Sequence, residues 1–118
     1  MVFKEFITFL GTKDLDLTSN FYLNILGLTI YKDQGICRIF NITNESKIGF
    51  CTHIPVVINE KTPLLTFITE HVDEVYNHLK ELGIEVTKKP VINKKFRIYH
   101  FFLKDPNGYA IEIQKFLD

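Results

Sequence analysis

The sequence predicts an α+β fold of two tandem β-α-β-β-β modules. A short motif recurs, Leu26-Gly27-Leu28-Thr29-Ile30 being echoed 56 residues later by Leu82-Gly83-Ile84-Glu85-Val86. Each copy follows apolar residues at helical spacing and precedes short β-favouring runs. The chain also closes on two strand-like runs joined by Asp105-Pro106-Asn107-Gly108, where Pro presets φ and Asn and Gly tolerate the left-handed region. One module alone is too small to bury a sheet face well, so the two are expected to share a core.

Phe3 to Leu10 is aromatic and β-favouring and reads as a strand. Asp14 caps a helix running to about Leu26, with Leu17, Phe21, Ile25 and Leu26 near a helical period, and Gly27 stops it. Leu28–Tyr31, Cys37–Ile42 and Lys47–Thr52 read as three strands, the last two separated by turn-forming residues 41–46. Module 1 thus spans about residues 1–53, and an aperiodic linker about 54–63. Module 2, residues 64–118, repeats the order. Leu64–Thr69 is a strand, and Val72, Val75, Tyr76, Leu79 and Leu82 mark an amphipathic helix ended by Gly83. Ile84–Thr87, Phe96–Leu103 and Tyr109–Phe116 complete the module as strands.

Composition narrows the function classes. Formal net charge is zero, which leaves no electrostatic footprint for nucleic acid. No apolar run approaches a membrane span. Lys4 and Glu5 interrupt the one stretch that could begin a signal peptide, so a cytoplasmic protein is expected. Cys37 and Cys51 lie within expected strands without Cys-x-x-Cys spacing and read as two reduced, buried thiols.

Asp14-Leu15, Thr18, Phe21-Tyr22 and Leu26-Gly27-Leu28 together resemble the opening module of the vicinal oxygen chelate superfamily. That superfamily holds glyoxalase I, bleomycin- and fosfomycin-resistance proteins and extradiol dioxygenases. Leu79-x-x-Leu82-Gly83-Ile84 and Asp105-Pro106-x-Gly108-x-x-x-Glu112 resemble its closing module. The resemblance covers essentially the whole chain. It implies paired βαβββ modules curled into an incomplete barrel around a ligand cavity (the glyoxalase/bleomycin resistance fold), and often a homodimer.

The resemblance also implies where a metal would be held. Metal-using members carry a histidine seven residues before the Asp that opens the first helix, and here that position is Ile7. A second histidine lies three residues before the Phe of the fifth strand, and here that position is Leu64. The third ligand, four residues after the turn glycine, is retained as Glu112. The fourth strand, where glyoxalases supply another acid, reads Lys47-Ile48-Gly49-Phe50-Cys51. Ile and Leu offer no lone pair, and zinc takes three or four N, O or S ligands. No metal residues and no cofactor are therefore assigned. A divalent ion on a relocated set of Glu112, His100 and His53 is left as an alternative.

By the same resemblance Glu112 points into the cavity, with Ala110 and Gln114 on its face. His100 and Phe102 on the preceding strand occupy ligand-contacting positions. A buried carboxylate without a metal needs a partner, and the candidates are His100, Arg38 and Arg97. His100 and Glu112 are the candidate acid–base pair. Gln34, Arg38, Phe50, His100, Phe102 and Glu112 are the candidate ligand contacts. For Phe50 and its neighbour Phe40, core packing is the competing reading. Lys88-Lys89 and Lys94-Lys95 flank Pro90 in what reads as a solvated loop, with a lid as its alternative. The functional expectation is a resistance-type protein that sequesters a small, partly aromatic organic ligand without a metal. The alternative is a metal-dependent or acid–base lyase, isomerase or dioxygenase of glyoxalase type.

Overall fold

Asp14 begins the first helix by the means its side chain suggests: the carboxylate accepts the Leu17 N–H at 2.9 Å. A computed structural model describes all 118 residues and divides them into two units, residues 1–57 and 58–118. The division falls inside the stretch read as a linker. No helix is long and apolar enough to cross a membrane.

The first unit runs β1 (Phe6–Gly11), α1 (Leu15–Asn20), β2 (Thr29–Asp33), β3 (Cys37–Asn41) and β4 (Ser46–Cys51). A wider π-helical turn, Phe21–Ile25, continues α1. Gly27 then takes φ +75°, the left-handed exit that glycine adopts without a steric penalty. The sheet order is β1-β4-β3-β2, with β1 parallel to β4 and the other pairs antiparallel. Alternation sends Phe40, Ile48 and Phe50 toward the helix. There Tyr22 stacks on Phe50 at 4.7 Å and on Phe40 at 5.9 Å between ring centroids, and all three rings are fully buried.

The second unit repeats this plan with β5 (Leu64–Ile68), α2 (Val72–Glu81), β6 (Val91–Asn93), β7 (Ile98–Lys104) and β8 (Ala110–Phe116), in the order β5-β8-β7-β6. β5 is parallel to β8, and the remaining pairs are antiparallel. Both sheets are open, mixed and four-stranded, so the α+β class and the tandem modules are as the sequence indicates. Phe101, Leu103, Ile111 and Ile113 form the helix side of this sheet, where Tyr76 meets Phe101 edge-on at 5.4 Å. Tyr99 lies on the same side and donates from its hydroxyl to Asp73 at 2.5 Å.

Two expectations are corrected. Ile84–Thr87 forms no strand. The Ile84 N–H turns back to the Leu79 carbonyl, closing α2, and Val86 buries its side chain outside any ladder. The second strand of this unit is instead β6, in the lysine-flanked run read as a loop or lid. Pro90 has no N–H to give a ladder, so pairing begins at the next residue. The Asn93 side chain then accepts the Phe96 N–H, and Arg97 turns the chain into β7 at φ +54°.

The second correction concerns the cysteines. Cys37 and Cys51 are not separate thiols but a disulfide. The β3–β4 register sets them directly opposite, with Cα atoms 4.1 Å apart. The Thr52 N–H bonds to the Ile36 carbonyl in the adjacent pair, so the cysteines fall at the non-hydrogen-bonded position, where facing side chains are closest. Sequence spacing gave no warning, because register rather than a local motif joins them.

Candidate functional site

The face of the second sheet turned away from α2 carries an uncommon combination for a sheet interior, a buried acid and a buried imidazole. β8 presents Ala110, Glu112 and Gln114 on this face, β7 presents His100 and Phe102, and β5 presents Leu64, Thr66 and Ile68. His100 pairs in register with Gln114, two residues from Glu112, and the longer side chains close the diagonal. His100 Nδ1 lies 2.6 Å from Glu112 Oε2, and the two side chains are only 11% and 7% exposed. The other carboxylate oxygen accepts the Thr66 hydroxyl at 2.8 Å.

Burial on its own raises the Glu112 carboxyl's pKa. Hydrogen bonds from His100, Thr66 and Gln114 together outweigh it and hold the group below the ordinary carboxylate value. An ionised Glu112 accepts, so the proton of this bond belongs to Nδ1 of His100. That fixes the ring's orientation and turns Nε2 away from the acid. The ring edge also meets Phe102, with centroids 5.1 Å apart at 65°.

Beyond Phe102 the surface opens into a cavity of about 800 Å³, large enough for a small organic molecule. Phe102, Ala110 and Ile84 contribute apolar lining, and Lys61, Glu85 and Lys104 contribute charged lining. Lys61 Nζ sits 4.2 Å from the centre of the Phe102 ring. His100 and Glu112 adjoin this cavity through Phe102 and are not among its lining residues.

The remaining candidates belong to the first unit. Phe50 belongs to the helix-side core, because its position in β4 alternates with the open face. Arg38 lies on that helix side too. Its guanidinium pairs with Asp16 at 2.9 Å, bonds the Ser19 hydroxyl at 2.9 Å and approaches Asp33 at 3.7 Å, so it is taken up by α1 and β2. Gln34 is exposed in the β2–β3 turn, where its N–H holds the Cys37 carbonyl.

The donor set does not fit the metal site that the fold family implies. Leu64 shares the face of Glu112 without a donor atom, and both Glu112 oxygens already accept hydrogen bonds. Ile7 and Gly49 occupy the open face of the first sheet and add none. Glu112 and His100 belong to no group of three or more ligating side chains close enough to share an ion. Of the relocated set, His100 and Glu112 adjoin within the second unit and His53 belongs to the first. Within that first unit His53 lies with its Nδ1 3.9 Å from Cys37 Sγ.

Thr66 and Lys61 escaped the sequence reading. Thr66 follows from the pairing of β5 with β8, which brings residues 46 positions apart into one ladder. Lys47 was also overlooked. Its side chain is 4% exposed, pairs with Glu5 at 3.3 Å and lies over the Tyr31 ring at 4.6 Å.

Comparison with known proteins agrees with this architecture. The family model described as the Glyoxalase/Bleomycin resistance protein/Dioxygenase superfamily matches residues 6–113. No curated protein matches the chain significantly. Among solved structures, a glyoxalase/bleomycin resistance protein/dioxygenase from Alicyclobacillus acidocaldarius is similar with a TM-score of 0.78 and 17% identity, over 98% of this chain and 92% of that one. A lactoylglutathione lyase from Agrobacterium tumefaciens gives 0.75 and 20%, over 95% and 92%. An integron cassette protein from the Halifax Harbour sewage outfall metagenome gives 0.78 and 20%, over 97% and 99%.

Proposed function

The chain belongs to the Glyoxalase/Bleomycin resistance protein/Dioxygenase superfamily, and we propose that within it the protein binds a small, partly aromatic organic ligand without a metal. The observation that carries this reading is the state of Glu112. The carboxylate that would serve a metal is instead held by His100 and Thr66. The pair presents His100 Nε2 as a single oriented polar group beside Phe102, and Phe102 opens onto the cavity. A ligand ring would pack on Phe102 while an acidic or hydroxyl group met Lys61, Lys104 or the imidazole.

A second reading is favoured by the same 2.6 Å contact. A carboxylate that orients an imidazole is the arrangement of a general base, and it supports metal-independent proton transfer on the bound ligand. Exposed Leu64 and Ile68 on this face support a homodimer that covers them. A cytoplasmic setting is part of this proposal, and there the Cys37–Cys51 disulfide would meet the thiol reductants that open it.

A thermal-shift screen against small aromatic acids and alcohols tests the binding reading. A true ligand at 100 times its Kd stabilises the fold by about 2.7 kcal/mol. The shift should vanish in Phe102→Ala and shrink in His100→Gln. Ligands that shift wild type and Phe102→Ala equally would remove the cavity from consideration. Proton exchange at an acidic ligand carbon, monitored in deuterated water, separates the catalytic reading from simple binding.

A further inference from the structure

We propose that Cys37, Cys51 and His53 form a redox-gated zinc site, closed as the disulfide and open to Zn²⁺ as the dithiol. The three residues lie together in the first unit, and their ligating atoms all fall within 4.8 Å of one another. Cys37 and Cys51 are buried, at 7% and 2% exposure, at the end of the β3–β4 ladder. His53 is exposed in the turn just past β4 and provides the route of entry. Its Nδ1 is 3.9 Å from Cys37 Sγ. A tetrahedral zinc with ordinary bond lengths would set those two atoms roughly 3.5 Å apart and the two sulfurs about 3.8 Å apart. His53 is therefore almost in place. Rotation of the cysteine side chains supplies the remaining movement once the S–S bond is broken.

The chemistry of the donors selects the ion. Two thiolates and an imidazole form a borderline-soft set that suits zinc. Two thiolate charges neutralise Zn²⁺, an important point where both sulfurs are buried. A cuprous ion would leave one negative charge uncompensated. Three protein ligands leave a fourth position open on the His53 side, the arrangement of zinc sites that accept water or a substrate atom.

The two states exclude each other. A dithiol reductant passes two electrons and two protons to the disulfide, giving two thiols, and itself becomes a disulfide. Zinc then displaces the two thiol protons, which leave to solvent. Reoxidation by a small-molecule disulfide, which accepts the two electrons and takes two protons from solvent to become two thiols, joins Cys37 to Cys51 again, removes both ligands together and expels the ion. Loading would thus follow the thiol poise around the protein.

Cobalt(II), a spectroscopic stand-in for zinc, tests the assignment on the whole chain. The protein is reduced with a phosphine, which takes its oxygen from water as it becomes the phosphine oxide. Circular dichroism checks that the fold survives. Reduced protein should take up one equivalent of cobalt with thiolate charge-transfer absorption and the strong visible bands of a tetrahedral site. Zinc should displace it, and air-oxidised protein should bind neither. His53→Ala, a change at an exposed turn, should weaken the site at least about tenfold, because even outer-shell partners are worth about 10–100-fold. Cys37→Ser/Cys51→Ser should abolish the thiolate band. Uptake no greater than in that double variant, affinity indifferent to His53→Ala, or collapse of the fold on reduction would each overturn the proposal.

Discussion

Replacing His100 with Ala tests how Glu112 is held. The substitution removes the imidazole 2.6 Å from a carboxylate that is 7% exposed and leaves Thr66 and Gln114 as its remaining hydrogen-bond partners. Losing one member of a buried pair typically costs about 3–5 kcal/mol, because the other charge stays buried. Thr66 keeps one oxygen satisfied, so the low end applies, about 3 kcal/mol at pH 7. The pH dependence distinguishes this from simple loss of packing on Phe102. In the native protein the Glu112 carboxyl sits below its ordinary value. Its stabilisation is therefore complete above the unfolded carboxylate pKa, about 4.3, and is lost as pH falls through the lower folded value. Without His100, burial meets less opposition and the carboxyl's pKa rises from its native position. The variant can then relieve its buried charge by taking up a proton at a pH where wild type cannot. The stability gap should narrow steadily as pH falls into the carboxylate range. Urea melts of both proteins at several pH values provide the measurement. A gap below about 1 kcal/mol at pH 7 would refute the reasoning, as would a gap that stays constant down to pH 4. His100→Gln, which keeps a donor near the carboxylate, should recover part of the loss.

Other perturbations probe the frame around the site. Gly11→Ala would drive a methyl group into the backbone of Ile54 and Pro55, with no flexible side chain to yield, and should destabilise by about 3 kcal/mol or more in a thermal melt. Asp14→Ala removes the cap on the Leu17 N–H and should cost about 1 kcal/mol without altering ligand affinity. Phe50→Ala opens the Tyr22–Phe40–Phe50 cluster and should cost about 3–5 kcal/mol. Ligand binding by whatever Phe50→Ala protein remains folded should match wild type, since the ring lies on the helix side of its sheet.

The elements that sequence made legible are those whose evidence is local. Gly27 and Gly83 follow apolar helical patterns and both adopt positive φ, so helix ends and the module repeat could be read directly. The Asp105–Gly108 turn declared itself by chemistry: the Asp105 carboxylate accepts the N–H groups of Asn107 and Tyr109, and Gly108 takes φ +94°. Ile84–Thr87 misled because β-favouring residues directly after a helix can be used to close that helix instead of entering a ladder. β6 was missed for the opposite reason. Three residues between lysine-rich flanks carry little pattern, and their pairing partner in β7 alone makes them a strand.

The site was legible only as far as alternation along one strand reaches. His100 and Glu112 could be placed on a common wall because they flank a turn whose register is short and nearly forced. Phe50 and Arg38 could not, since a strand's period gives two faces and leaves open which one the helix covers. α1 and the π-helical turn after it resolve this: Tyr22 in the turn claims the Phe50 face, and Asp16 and Ser19 in α1 claim Arg38 on that same face. The opposite face of the same sheet then receives Ile7, Gly49, Cys37 and Cys51. Its nearest approach to a ligand set is the cysteine pair with His53, not the family's positions. The first sheet thus offers no donor side chain at Ile7 or Gly49, while its sulfur donors lie where β3 begins and β4 ends. Glu112 in the second sheet is satisfied by His100 and Thr66. Each sheet therefore solves its own polar problem locally. The Cys37→Ser/Cys51→Ser protein should consequently keep the wild-type pH profile of the His100–Glu112 pair. Urea melts across the carboxylate range would show it, and a profile that moved with the cysteines would break this separation.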